Sequence, residues 1–330
     1  MHWLSNRIRL IILISNLLIA QGQSPSRFSL KSAIEDTFLT VGLKSNLVAE
    51  IRIMGDSLTW FGTGQGLALY DGHHVYAHQT TRDSINNAQF TTLLPEGGIP
   101  AVAVMGDTLA VSFSGDDGSI QMGLGLTLTY AAEDTNGITW IYLEQPVDND
   151  ADTLVPFGEG YYRQLPVTVR QANVTYDASL SGDYLWIASW AGGLRRYHLT
   201  KKVWENVPLP LDQQSALSLC QDTAFVDTTG QSILANYYLN PRDPVDGGNH
   251  NHKAFSVLAF GDTVWVGTAD GINQGFIIKE VVEVSPGNFE ILNCIEWEHY
   301  SYPEDGLSGN FVVGLAKQVW NGQKTIWAAT

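Results

Sequence analysis

Positive charge is scarce in this sequence. Eighteen Lys and Arg stand against 34 Asp and Glu over 330 residues, a formal net charge of −16. A chain so poor in bases excludes a nucleic-acid surface, which needs clustered Lys and Arg on phosphates. Charge of either sign is sparse at 16%, whereas 44% of residues are hydrophobic and 11% aromatic, which excludes a disordered chain. No Ser-His-Asp elbow, phosphate loop or paired-carboxylate signature is present. Cysteine is limited to Cys220 and Cys294, with no Cys-His nucleophile arrangement. The two thiols either pair across 74 residues or stay free in apolar surroundings. Long apolar runs are missing beyond residue 22, so no later segment is expected to span a membrane.

The abundant residues are Gly (32) and aromatics, including 10 Trp, which favour strands and tight turns over helices. At the start, Arg7 and Arg9 precede the apolar run Leu10–Ala20, followed by Gln21-Gly22. That pattern predicts a secretory signal peptide over residues 1–22 and an exported protein, periplasmic, cell-surface or extracellular. Its cleavage removes two bases and no acid, leaving −18.

One phrase recurs: a Gly-Asp turn, a short strand centred on Trp, small residues, then a Gly turn. It runs through Gly55-Asp56 to Trp60 and Gly66, Gly182-Asp183 to Trp186 and Gly193, and Gly261-Asp262 to Trp265 and Gly271. A degraded copy, Gly106-Asp107 to Ser112, has Ala110 at the Trp position, and a last begins at Asn321-Gly322 and reaches Trp327. Alternating strands precede the copies at Val48–Ile53, Ala101–Val104, Phe255–Phe260 and Phe311–Ala316. Such a meander, repeated every 50–80 residues or so, predicts an all-β fold, a β-propeller of four-stranded antiparallel blades. The Trp are expected to pack between blades, and the small residues after them to let blades approach. Residues 23–330 then hold about four blades and the start of a fifth, and the natural chain is expected to continue beyond Thr330.

Gly42-Leu43-Lys44-Ser45-Asn46 with Trp60 to Tyr70-Asp71, and Gly306-Leu307-Ser308-Gly309-Asn310 through Trp327, resemble the two-component-regulator propeller repeat. Gly137-Ile138-Thr139-Trp140 is similar to the end of the Asp-box of sialidase-like propellers, with Asp134 one residue out of place. The first resemblance implies a sensing or scaffolding input domain without catalysis, binding a ligand such as a glycan or a protein. The second implies the alternative of a glycan-processing enzyme, although none of the Arg residues forms a recognisable catalytic motif.

Two local patterns suggest metal chemistry. Asp148, Asp150, Asp152 and Glu159 hold relative positions 1, 3, 5 and 12 of a calcium loop, where alternate carboxylates converge and a Glu closes the shell. Thr153 stands where that loop wants Gly, and Pro156 interrupts it. Calcium here would imply a calcium-dependent surface or adhesion protein. His250-Asn251-His252 would put two imidazoles on one side of an extended strand, near Asp243 and Asp246, as a metal pair without an identifiable third ligand.

Overall fold

A computed structural model describes residues 39–116, 121–133, 137–144, 146, 153–158, 160–165, 174–190, 192–220, 225–226, 232–241, 248–285 and 287–330. The chain divides into two units, residues 1–31 and 32–330, and all described residues belong to the second. The expected signal peptide lies outside them. The described residues contain no α-helix, and none of their segments forms a helix able to cross a membrane.

The protein is an all-β propeller chain. Blade 1 is the meander Val48–Met54, Leu58–Thr63, Gly66–Tyr70 and Val75–His78, with Leu39–Val41 added outside it. Blade 2 runs Val102–Met105, Thr108–Asp116, Gln121–Thr129 and Trp140–Leu143, with Phe90–Thr91 outside. Blade 3 comprises Thr175–Ser181, Tyr184–Ser189, Gly193–His198 and Val203–Val207. Blade 4 is Ala254–Phe260, Thr263–Thr268, Gly271–Ser285 and Asn288–Tyr300, with Ala216–Ser218 outside. A hairpin, Gly314–Trp320 with Gln323–Ala329, follows. Blades 1, 2 and 4 are therefore five-stranded, because the segment leading to each repeat adds a strand to the outer edge.

The inner strands lie side by side in chain order: Val48–Met54 against Val102–Met105, then Thr175–Ser181, then Ala254–Phe260, then Gly314–Trp320. The Gly-Asp turns make this possible. Gly106, Gly182 and Gly261 each sit near φ +57°, as tight hairpin turns require, and Asn321-Gly322 serves the last hairpin at +50° and +78°.

Packing between blades follows the repeat. Trp60, fully buried, meets Val102, Leu109 and Val111 of blade 2, and Trp186 meets Val257, Val264 and Val266 of blade 4. Between blades 2 and 3 the small Ala110 is accompanied by Leu126, Leu128, Leu180 and Ile187. The small residue two positions after Trp is where the next blade's lead-in crosses. A Cβ on Gly62 would stand 2.7 Å from the Ile99 carbonyl oxygen, and one on Gly267 would stand 2.8 Å from that of Val312. Matching backbone bonds fix both crossings, Ile99 N–H to the Thr63 carbonyl and Val312 N–H to that of Thr268.

Three further features depart from the expectation. Trp327, expected to pack between blades, is 60% exposed. The strand expected over Phe311–Ala316 begins only at Gly314, because Phe311–Val313 form that lead-in. An additional sheet, Thr153–Phe157, Gly160–Gln164, Ser232–Leu239 and Phe225–Val226, includes a parallel pairing of Gly160–Gln164 with Ser232–Leu239. It packs Tyr162, Leu234 and Tyr237 into the core shared by blades 3 and 4.

Candidate functional site

The turns after the Trp strands and the segments leading into the inner strands share one end of the blades. Gly64 N–H donates to the Leu47 carbonyl, and Ala269 N–H to that of Lys253. At this lead-in end three inner strands carry a β-bulge at the same point of the ladder, between Val48 and Glu50, Thr175 and Asp177, and Ala254 and Ser256. A bulge leaves one residue unpaired and re-aims its side chain. The residues so released are Ala49, Tyr176 and Phe255.

Tyr176 and Phe255 use that freedom to touch, with ring centroids 5.6 Å apart, and Phe255 in turn lies 4.6 Å from Phe311. The result is an aromatic strip from blade 3 across blade 4 to the lead-in of the last hairpin. Phe311, at its end, is 52% exposed.

Beside the strip is a charged network drawn from four blades. Arg52 of blade 1 donates from Nε to the Val102 carbonyl of blade 2 (3.0 Å), from Nη1 to Glu50 Oε1 (2.7 Å) and from Nη2 to Asp177 Oδ1 of blade 3 (3.2 Å). Asp177 also accepts from Ala178 N–H (2.8 Å) and, through Oδ2, from Val257 N–H of blade 4 (2.9 Å). Burial pushes the Asp177 carboxyl up to about 7 against the opposing pull of Arg52 and the two N–H donors. Burial also raises Glu50, with Arg52 again opposing. Three of the five guanidinium N–H groups are used, so Arg52, whose side chain is 36% exposed, retains two donors beside free carboxylate lone pairs.

A second polar cluster holds the lead-in to blade 4. Asp212 accepts the N–H groups of His250 and Asn251, both at 2.9 Å. The fully buried Asn251 and Asn273 exchange two amide bonds (2.9 and 2.7 Å), and Asn273 Oδ1 lies 3.1 Å from His299 Nδ1. Asp270 stands 4.0 Å from His299 Nε2 and accepts from Asn310 Nδ2; burial, then the Asp212 charge, pushes it up to about 6. These groups largely satisfy one another, and their effect is to anchor the loop.

That cluster corrects the reading of His250 and His252 as a metal pair on an extended strand. Residues 250–252 form a turn, pinned by Asp212, and buried His252 lies against Gly193, where a Cβ would fall 2.2 Å from its ring. Asp243 and Asp246 lie outside the described residues, as do the proposed calcium ligands Asp148, Asp150, Asp152 and Glu159, and Asp134 of the Asp-box resemblance. Among the described residues no group of three or more His, Cys, Asp or Glu side chains gathers to hold a metal. Cys220 and Cys294 form a disulfide, which resolves the choice left open above. Arg195 and Arg196 are occupied in blade 3, the first by Asn206 and the Pro146 carbonyl, the second by Glu205 and the Tyr184 ring.

No protein-family profile and no curated protein matches the chain. Solved structures that it resembles include the extracellular domain of a hybrid two-component system from B. thetaiotaomicron, at 15% identity over 89% of this chain and 40% of that one, TM-score 0.28. Others are YCF48 from Cyanidioschyzon merolae (10% identity, 88% and 96% covered, TM-score 0.29) and the WD40 repeats of RRP9 (10%, 80% and 85%, TM-score 0.29). The chain spans about two fifths of the length of the first. Likeness at these scores carries no argument about ligand or activity.

Proposed function

We propose that the protein is an exported binding module that holds its ligand at the lead-in end of the inner strands. The observation that carries this reading is the Arg52–Glu50–Asp177 network beside the Tyr176–Phe255–Phe311 strip. A few convergent polar groups next to an aromatic surface are what a ligand site requires. Arg52 supplies donors and Glu50 and Asp177 supply acceptors, while the rings, tilted 41° and 50° to one another, supply an apolar surface. A ligand with hydroxyl groups around an apolar face, such as a glycan, fits both halves. Because Arg52 and Asp177 link four blades, a ligand that competes for their bonds would alter contacts between blades, which suits a sensing role. The Cys220–Cys294 disulfide and the Arg7–Gly22 pattern support export, since disulfides persist in oxidising compartments.

Calorimetric titration against panels of oligosaccharides and of peptides tests the reading. Binding of an oligosaccharide that is lost in Arg52→Ala and in Phe255→Ala, with melting retained, supports it. Binding that both variants leave intact overturns the site, and selective binding of peptides overturns the glycan. The raised Asp177 beside Glu50 favours a second reading, hydrolysis, in which Asp177 gives its proton to the leaving glycosidic oxygen while a water attacks the anomeric carbon and loses its proton to Glu50. Hydrolysis of the same glycan panel, abolished in Asp177→Asn, would establish that reading.

A further inference from the structure

Between the fourth strand of blade 1 and the inner strand of blade 2, the chain builds a small sheet that the repeat does not contain. Thr80–Thr81 pairs in parallel with Leu94–Pro95, Thr80 opposite Leu94 and Thr81 opposite Pro95. The Glu96 N–H donates to the Thr81 carbonyl (2.9 Å), which carries the pairing one position further. That register sets Arg82 beside Glu96, and Arg82 Nε donates to Glu96 Oε2. Asp83 follows in a tight turn, its N–H donating to the Thr81 hydroxyl oxygen (3.0 Å).

The Arg82–Glu96 pair and Asp83 border a cavity of about 300 Å³ whose other wall is blade 2. A bulge there leaves Leu124 unpaired and re-aims it, because Phe113 pairs with Gly125 and Ser114 with Gly123. Leu124 lines the cavity together with Tyr142, whose hydroxyl donates to the Leu124 carbonyl (2.6 Å). Gly125, at φ +105°, admits that ring, since a Cβ would stand 2.6 Å from the Tyr142 hydroxyl oxygen. One small space is therefore bounded by a guanidinium, two carboxylates and an apolar wall. Among the described residues Arg82 uses one of its five N–H groups, on Glu96.

We propose that this cavity binds one free α-amino acid with an apolar side chain. Such a molecule is a zwitterion whose two charges sit on one carbon, at about the spacing of a hydrogen-bonded ion pair. Laid alongside Arg82–Glu96 in the opposite sense, it places its carboxylate on the guanidinium and its ammonium on the Glu96 carboxylate. Asp83 accepts a further ammonium N–H, and the side chain lies on Leu124 and the Tyr142 ring. A simple anion would meet two carboxylates here, and a simple amine would leave the remaining guanidinium donors unused. The volume is at the low end of the roughly 300–1,000 Å³ of small-molecule sites, which limits the occupant to a single amino acid. The Arg82 and Glu96 side chains are 86% and 48% exposed, and ion pairs so exposed contribute little to stability. The site involves neither Arg52 nor the aromatic strip, and it stands whether or not a glycan binds there.

Calorimetric titration with free L-leucine and L-phenylalanine tests this, alongside N-acetyl-leucine, which lacks the ammonium, and leucinamide, which lacks the carboxylate. Both free amino acids are expected to bind. Each capped compound should bind at least about tenfold more weakly, as loss of a charged hydrogen bond implies. Arg82→Gln and Glu96→Gln should each weaken leucine binding by a similar factor with unchanged melting curves, while Phe255→Ala leaves it intact. No binding of either amino acid at millimolar concentration overturns the proposal. So does equal binding of a capped compound, or binding that the Arg82 and Glu96 variants leave unchanged.

Discussion

His78 gives the most demanding test of the blade packing. It ends the fourth strand of blade 1 and is 4% exposed, stacked 5.5 Å from the Trp60 ring and edge-on 5.7 Å from the Trp140 ring. Among the described residues its buried Nε2 has no hydrogen-bond partner. Burial, with a smaller contribution from the Lys44 charge, lowers its pKa from 6.5 to about 4. The unfolded chain takes up a proton as pH falls through 6.5, whereas the folded chain resists until about 4. This group's contribution is therefore complete above pH 6.5 and is lost as pH falls toward 4. At 1.36 kcal/mol per pH unit, the gap amounts to about 3 kcal/mol of stability.

Asp177, Glu50 and Asp270 act with the opposite sign, since their raised values weaken the fold as pH increases. The pH profile of the unaltered protein mixes these contributions, so the informative quantity is its difference from His78→Phe. Phenylalanine keeps an aromatic ring between Trp60 and Trp140 and removes both the titration and the unpaired nitrogen. In urea unfolding the variant should match or exceed the unaltered protein at neutral pH, and its advantage should widen by about 3 kcal/mol as pH approaches 4. Parallel pH profiles for the two proteins, or a His78 resonance titrating near 6.5, would refute the buried neutral imidazole.

Gly267→Ala should lower stability by about 1–3 kcal/mol, because its Cβ would meet Ser256 Oγ at 2.4 Å and the Val312 carbonyl at 2.8 Å. Gly137→Ala, with open space around the added Cβ, should leave the melting curve unchanged. Replacing both Cys220 and Cys294 by Ser should cost about 4 kcal/mol in urea unfolding, as expected for releasing a 74-residue loop. If Asp148, Asp150, Asp152 and Glu159 form a calcium loop, added calcium should raise the melting temperature and Asp150→Ala should abolish the increase; no shift on adding calcium or chelator sinks that reading.

The propeller is legible in the sequence because each junction is encoded locally and repeatedly. A Gly-Asp pair turns the hairpin, Trp or Ala fills the gap to the next blade, and Gly62 and Gly267 clear the path for its lead-in. Gly55 to Gly62, eight consecutive residues, contain all of this. The inserted sheet is different, since its parallel pairing joins Gly160–Gln164 to Ser232–Leu239, about seventy residues on, without any recurring phrase to mark it. His78, likewise, reads as one more histidine of an outer hairpin until the position of Trp140 is known.

The candidate site resists sequence reading for a related reason. Arg52 and Asp177 are 125 residues apart and meet only because the inner strands of blades 1, 2 and 3 lie side by side, so that the Arg52 guanidinium reaches past Val102 to Asp177. Tyr176 and Phe255 meet because two bulges fall at equivalent points, and a bulge leaves no motif in the residues around it. One signal was available: Glu50 and Arg52 interrupt the inner strand of blade 1, as Asp177 does that of blade 3, with charge where comparable strands are mainly apolar. Charge placed there is costly unless another blade supplies its partner. The repeat therefore identifies which side chains build the ring, and departures from the repeat within the inner strands mark those free to do something else.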